Sequence, residues 1–313
     1  MNIEGKVIVC DSIDEKGINS LKNAGLVVDY LPEISALELI SKVSEYDVII
    51  VRSRTKITKD VIQGAKKTKI IARVGVGLDN IDTDEATKHN IEVINAGEAS
   101  ITAVSELVIG LMLSLCRNIS YANYETKKGN WVKKNLIGTE LKGKYLGIIG
   151  LGKIGRNVAR LARGLRMNLI GYDVVPIDKG FIQEVSLITT DLKTLMQSSD
   201  FISCHVPLTE QTKYLINKES ILNMKSNSFI INTSRGEVIE ESALIEALKN
   251  NKIAGAALDV FEIEPPSNKE LLSLSNLIST PHIGAQTKEG QELASIVIAE
   301  KIIQKMISSE NTN

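Results

Sequence analysis

Short β-branched runs alternate with longer amphipathic stretches along the whole chain. In the first hundred residues the runs are Lys6 to Cys10, Leu26 to Tyr30, Val48 to Val51, Ile70 to Arg73 and Ile91 to Ile94. These read as strands and the segments between them as helices. The alternation returns with Tyr145 to Ile149, Leu169 to Tyr172, Phe201 to His205, Phe229 to Asn232, Ala254 to Leu258 and Leu277 to Ser279. Near-continuous apolar runs mark strands buried on both faces, and strands alternating with helices imply parallel sheets covered by helices. Two doubly wound α/β domains are therefore expected. The segment from Glu289 to Ile307 has helical periodicity and no strand, so it is expected to pack back on the first domain. That domain is then discontinuous, 1–97 plus 286–313, with 98–285 inserted and two crossings acting as a hinge over a cleft. The polar tail SSENTN is expected to fray.

One turn in the second set of strands stands apart. GLGKIG, Gly150 to Gly155, follows a strand and opens a helical pattern, and the next strand ends in Asp173. Gly150 permits a tight turn, Gly152 lets the backbone approach a pyrophosphate, and Gly155 lets helix and strand pack closely. The free N–H groups at the helix start, at Lys153 and Ile154, suit an anion. Asp173 lies eighteen residues beyond Gly155, near the roughly twenty expected for the acid that accepts hydrogen bonds from ribose hydroxyls. Its charge would repel a 2′-phosphate, and Val174, Val175 and Pro176 bring no Arg to neutralise one. NAD is thus expected in preference to NADP. The first domain's opening turn, CDSIDEKG, lacks the three glycines, so the inserted domain is the one expected to hold the dinucleotide, on a sheet of six strands.

Composition narrows the function classes. A chain of 313 residues suffices for two such domains. Its 37 basic and 38 acidic residues nearly cancel, which gives no reason to expect nucleic acid or an anionic membrane as a partner. Cys10, Cys116 and Cys204 lie far apart in apolar runs and read as buried thiols, with no metal cluster expected. A reducing cytoplasm fits them, and MNIEGKVIVCD has no basic region followed by a long apolar stretch, so no export signal is expected. The apolar stretch Ile101 to Cys116 contains Ser105, Glu106 and Ser114 and falls short of the roughly twenty apolar residues of a membrane span. A core or interface helix is expected there.

Ligands of open α/β sheets bind beyond the carboxyl ends of strands. Three loops at such ends carry candidate chemistry: TSRGEVI with Arg235, DVFEIEPP with Glu264, and TPHIGAQT with His282. Histidine can take a hydroxyl proton while hydride leaves the adjoining carbon. A carboxylate bonded to it fixes its tautomer and stabilises the imidazolium. On the residues alone Glu262 competes with Glu264 for that place. Arg235 can hold a substrate carboxylate with two parallel donors, which a Lys does less well. His205, at a strand end, is expected to line the cofactor cleft without transferring protons. His89, in TKHN, is expected at an exposed helix end.

Taken together, VRSRTKIT (51–58), ARVGVGLDNID (72–82), SELVIGLML (105–113), GKYLGIIGLGKIG (143–155), CHVPLT (204–209), NTSRGEVI (232–239), ALDVFEIEPP (257–266) and PHIGAQT (281–287) make the chain similar to the D-isomer-specific 2-hydroxyacid dehydrogenases over nearly its full length. That resemblance implies a Rossmann NAD-binding domain inserted in a flavodoxin-like substrate domain, with catalytic roles on Arg235, Glu264 and His282. It implies cofactor contacts at Lys153, Ile154, Asp173, Pro207, Thr233 and Asp259, with Val76, Ser234 and Gly284 beside them. A homodimer built partly through the apolar helix after residue 100 is also implied.

Within that family the expected substrate is 3-phospho-D-glycerate, whose carboxylate and phosphate call for two anion sites. Backbone N–H groups at Val74 and Gly75 are expected to form a nest for the carboxylate. Arg52, which ends a buried strand, is expected to meet the phosphate with Ser53 as a neutral helper, and Lys133 and Lys134 to add charge. The chain stops soon after His282, so the C-terminal regulatory domain of fuller relatives, and its serine feedback, is expected to be missing. Val76 and Ser100 stand where relatives often carry Thr and Asn. Glyoxylate or hydroxypyruvate reduction is the nearest alternative activity, and NAD sensing, as in corepressor-like binding proteins, is the alternative of another class.

Overall fold

A computed structural model describes residues 3–310. The chain divides into two compact units: one runs from the N-terminus to Ile101 and resumes at Ala285, and the other is Thr102–Gly284.

The first unit holds a five-stranded parallel sheet of β1 (Lys6–Val9), β2 (Val27–Tyr30), β3 (Val48–Val51), β4 (Ile70–Arg73) and β5 (Glu92–Asn95), in the order β2-β1-β3-β4-β5. Side chains alternate across a strand, so each apolar run feeds two cores. Val48 and Ile50 enter one cluster with the C-terminal helix, while Ile49 and Val51 enter the other. All four are fully buried, and each contributes about 1.5–3 kcal/mol by leaving water. This is why β3 reads as VIIV with no polar interruption. Helix Lys288–Glu310 closes one face through Ile298, Ala299 and Ile302. The polar tail expected to fray thus stays helical to Glu310, and its last residues, 311–313, lie outside the described ones.

The second unit holds β6 (Tyr145–Ile149), β7 (Asn168–Tyr172), β8 (Leu187–Thr189), β9 (Phe201–Cys204), β10 (Phe229–Asn232), β11 (Gly255–Leu258) and β12 (Leu277–Ser279). All pair in parallel, in the order β12-β11-β10-β9-β6-β7-β8. The strand order reverses between β6 and β9, and at this kind of point loops diverge and leave a crevice. Seven strands replace the six expected. The additional one, β8, is a three-residue edge strand whose central Ile188 is exposed, too short to give an alternating pattern. His205 lies one residue past its strand, although its N–H still donates to Ile149 O at 2.7 Å.

Helix Ile101–Arg117 explains the longest apolar stretch. With the 3-10 turn before it, the segment Gly97–Arg117 is apolar and long enough to cross a membrane. Val108, Leu111, Met112 and Leu115 instead bury one stripe of it in the core beneath β6. Such spacing is the mark of a helix packed on one side.

Candidate active site

The glycine turn after β6 has the geometry its sequence requires. Gly150 has φ +91°, in the left-handed region, and a Cβ there would stand 2.8 Å from the His205 carbonyl group. A Cβ on Gly155 would fall 2.0 Å from Gly150 O, so the helix Lys153–Gly164 can start only against a bare backbone. A Cβ on Gly152, by contrast, would meet nothing within 4 Å, and this residue caps the helix without a side-chain hydrogen bond. The helix start, with Lys153 exposed and Ile154 half-buried, keeps N–H groups for an anion.

Asp173 sits beside that turn because β6 and β7 pair with Ile149 opposite Tyr172. Its Oδ2 accepts from Leu151 N–H at 2.6 Å and its Oδ1 from Val175 N–H at 3.0 Å. Each oxygen keeps a lone pair for a ribose hydroxyl. After β10, Thr233 Oγ1 is buried without a hydrogen-bond partner among the described residues. An orphaned buried hydroxyl costs about 1–3 kcal/mol, so Thr233 suits a polar group of a bound cofactor. These residues fit a dinucleotide. Ser234 is tied down, its N–H and hydroxyl both donating to Asn232 Oδ1. His205 is held neutral, pushed down to about 4 by burial, with Ser203 Oγ 2.9 Å from its Nε2. The exposed Pro207 is fixed through its carbonyl, which accepts from Thr212 Oγ1 at 2.6 Å.

His282 and Glu264 meet: His282 Nδ1 lies 2.8 Å from Glu264 Oε2. Both are partly solvated, with 52% and 38% of the side chain exposed, so the pair adds little to stability and its value is orientation. With Nδ1–H donated to a carboxylate, the neutral ring carries its lone pair on Nε2. Asp259 sets the turn beneath. Fully buried, it accepts from Thr280 Oγ1 at 2.6 Å and from the Ile283 and Gly284 N–H groups at 2.8 Å. Its role visible here is to hold the loop of His282. Arg235 begins the 3-10 turn Gly236–Val238, its Nη1 donating to Ser234 O at 2.7 Å while Asn232 Nδ2 grips its carbonyl at 2.8 Å.

The first unit gathers another set. Arg52 and Arg54 lie in one loop after β3 yet have different surroundings. Arg54 donates to the carbonyls of Cys10, Pro32 and Ile34, and its Nε is 3.2 Å from Asp11 Oδ1. Arg52 donates to the amide oxygens of Gln286, at 3.0 Å, and Gln291, at 3.5 Å. Asp11, which sequence reasoning missed, is buried and also accepts from Arg52 N–H at 2.5 Å, Thr55 N–H at 3.2 Å and Thr55 Oγ1 at 2.6 Å. It fixes the loop that carries exposed Ser53. The expected nest needs correcting at Val74, whose N–H donates to Val51 O at 2.8 Å and so extends the β3–β4 ladder. Gly75 and Val76 remain, held through their carbonyls by Ala96 N–H and Asn95 Nδ2. Lys133 and Lys134 stand exposed on a 3-10 turn of the second unit. His89 ends a helix with its Nδ1 3.0 Å from Glu85 O.

Residues 109–284 match the family described as D-isomer specific 2-hydroxyacid dehydrogenase, NAD binding domain. The chain belongs to that family. It is 47% identical to D-3-phosphoglycerate dehydrogenase of Methanocaldococcus jannaschii over 95% of its own length and 56% of that protein's. Thus the chain spans little more than half of that relative. It is 44% identical to hydroxypyruvate reductase of Thermotoga maritima, over 96% of this chain and 98% of that one. A glyoxylate reductase structure from Paecilomyes thermophila superposes with a TM-score of 0.88 at 26% identity, covering 97% of this chain and 95% of that one. The second unit is therefore an NAD-binding domain. Replacing Asp173 by Ala removes the carboxylate beside the glycine turn, and with it a hydrogen-bond acceptor and a negative charge. We expect NAD to bind at least tenfold more weakly, about the worth of one charge-assisted hydrogen bond, while NADP binding holds or improves. Titration of the purified protein with both nucleotides checks this, and an unchanged NAD-to-NADP ratio refutes it.

Proposed function

We propose that the protein oxidises a D-2-hydroxy acid, with His282 taking the hydroxyl proton, and that this acid is 3-phospho-D-glycerate. The observation that carries the reading is the hydrogen bond between His282 Nδ1 and Glu264 Oε2. Bound NAD would supply the acceptor for the hydride that leaves the hydroxyl-bearing carbon. His282 Nε2 receives the proton released as that hydroxyl becomes a carbonyl, and Glu264 stabilises the imidazolium so formed. Arg235 binds the substrate's carboxylate and draws density from the forming carbonyl. In the reverse direction the imidazolium returns the proton to the carbonyl oxygen.

The identity of the acid rests on Arg52. Among the described residues its guanidinium bonds only neutral amide oxygens, whereas Arg54 faces a buried carboxylate, so Arg52 is the cation left for a phosphate. Gly75 and Val76 supply N–H groups for the carboxylate, and Lys133 and Lys134 add positive charge. A second reading, reduction of glyoxylate or hydroxypyruvate, is supported by the hydroxypyruvate reductase relative and needs no phosphate site. The free, buried thiols of Cys10, Cys116 and Cys204 suit a reducing cytoplasm.

A homodimer forms part of the proposal. Leu113, Ile119, Tyr121 and Tyr124 are exposed on the consecutive helices Ile101–Arg117 and Ile119–Lys127, an apolar surface that a second copy would cover. Light scattering that finds only monomer at micromolar concentration removes this element.

His282→Asn should lower kcat by about 10²–10⁴, the range for losing a general base, and Glu264→Gln should cost less. NADH absorbance with a panel of hydroxy acids checks both; near wild-type turnover in His282→Asn refutes the proton-transfer role. Tight NAD binding without turnover of any acid would identify an NAD sensor instead. Arg52→Ala should raise KM for phosphoglycerate about 10- to 100-fold, the worth of a charge-assisted contact, and leave an unphosphorylated acid nearly unaffected. Equal effects on the two acids overturn the phosphate assignment.

A further inference from the structure

We infer that Glu241 and Glu262 form a reciprocal clasp that positions Glu264 against His282. The inference rests on the reading of His282 as the proton-transfer group. Glu241 opens the helix Glu241–Lys249, and its N–H is one of the first-turn donors a helix cannot satisfy by itself. That N–H donates to Glu262 Oε1 at 2.9 Å, and Glu262 N–H donates back to Glu241 Oε1 at 2.8 Å. Glu240, the residue at the helix cap, makes no side-chain capping bond. Glu262 therefore caps the helix from a distant loop, where the dipole favours a negative charge. In return the helix holds the backbone two residues before Glu264.

Three further contacts show why that hold matters. Phe261 is buried in the core, and its N–H donates to Glu264 Oε1 at 3.2 Å, so one carboxylate oxygen is fixed by its own loop while the other meets His282. A Cβ on Gly236 would stand 1.9 Å from the Phe261 carbonyl carbon, so the Arg235 turn lies directly on the Phe261–Glu262 backbone. Ile263, Glu264 and Pro265 are exposed, which leaves Phe261 and the clasp to set the loop's path. Burial first, and the nearby Glu262 charge less strongly, push Glu241 above the usual carboxylate range. Two acids brought together against this cost define a position, since a hydrogen bond near 2.8 Å tolerates little displacement.

The test uses the full chain with Glu262→Ala, Glu241→Ala and Glu262→Gln, each alone and combined with Glu264→Gln. Either Ala variant should lower kcat about tenfold with NAD affinity held, and add little on the Glu264→Gln background, because coupled residues are not additive. Glu262→Gln should stay within about twofold of wild type, since its amide oxygen still accepts a hydrogen bond. The chain has only three histidines, so the Nδ1 proton of His282 can be followed by NMR of histidine-labelled protein. It should lose its downfield position in either Ala variant. A full tenfold loss on the Glu264→Gln background, a Gln variant as damaged as the Ala variant, or an unmoved Nδ1 resonance overturns the clasp. Should Glu262→Ala fail to fold, Glu241→Ala and the Nδ1 resonance decide. If His282→Asn proves active while that resonance still moves, the proton-transfer reading has failed and the geometric clasp has not.

Discussion

A buried carboxylate without hydrogen bonds costs several kcal/mol, and Asp259 meets that demand by ordering the turn that carries His282. Its oxygens take the Thr280 hydroxyl and the Ile283 and Gly284 N–H groups, which flank His282 on both sides. Under that constraint His282 adopts φ +53°, a conformation few non-glycine residues hold without support. The parallel pairing of Leu258 with Ser279 brings the two loops side by side. A single loop after β11 thus supplies both the anchor of the histidine turn, Asp259, and the histidine's partner, Glu264. The distance between Nδ1 and Oε2 depends on backbone pairing and the buried Asp259 on the histidine's side, and on the contacts that hold the Glu264 loop on the other, which explains how a partly solvated ion pair can be well oriented.

The legible parts of the chain were those where one residue type has one physical use. Apolar runs of three to five residues mark eleven of the twelve strands among the described residues, most plainly the central ones, where burial on both faces leaves little room for polar residues. The missing one, Leu187–Thr189, is an edge strand with an exposed centre and carries no such signal. Gly150 and Gly155 were legible for the same reason: a positive φ and a 2.0 Å approach exclude any side chain. What composition and spacing could not convey were contacts made by ordinary polar residues across long stretches of sequence. Asp11 looks like a loop aspartate until Arg52, Arg54 and Thr55 are seen to donate to it. Val74 looked available to an anion because nothing in RVGVG reveals that its N–H extends a strand ladder to Val51. Glu262 competed with Glu264 in the sequence, and the two are separated only by what each carboxylate accepts.

Asp11 and Asp259 are the same device in two units. Each follows a parallel strand, each is almost wholly buried, and each accepts from backbone N–H groups and a threonine hydroxyl of a loop that ends another strand. The arrangement suits loops at the carboxyl ends of parallel strands, where the chain leaves the ladder with unpaired N–H groups. A buried aspartate collects those groups and converts a loop into a fixed platform. The helix-start alternative, in which N–H groups stay open to a ligand, appears at Gly152, where no side chain intervenes.

A buried anion beside a loop that carries two arginines can neutralise both of them. The first unit avoids this by geometry. Asp11 takes the side chain of Arg54 but only the backbone N–H of Arg52, whose guanidinium turns to the uncharged oxygens of Gln286 and Gln291. Amide oxygens orient a guanidinium without cancelling its charge, and their bonds yield more readily to an anion than a carboxylate's would. One aspartate therefore does two things at once: it fixes the path of the loop, and it assigns one arginine to structure and leaves the other charged toward whatever binds.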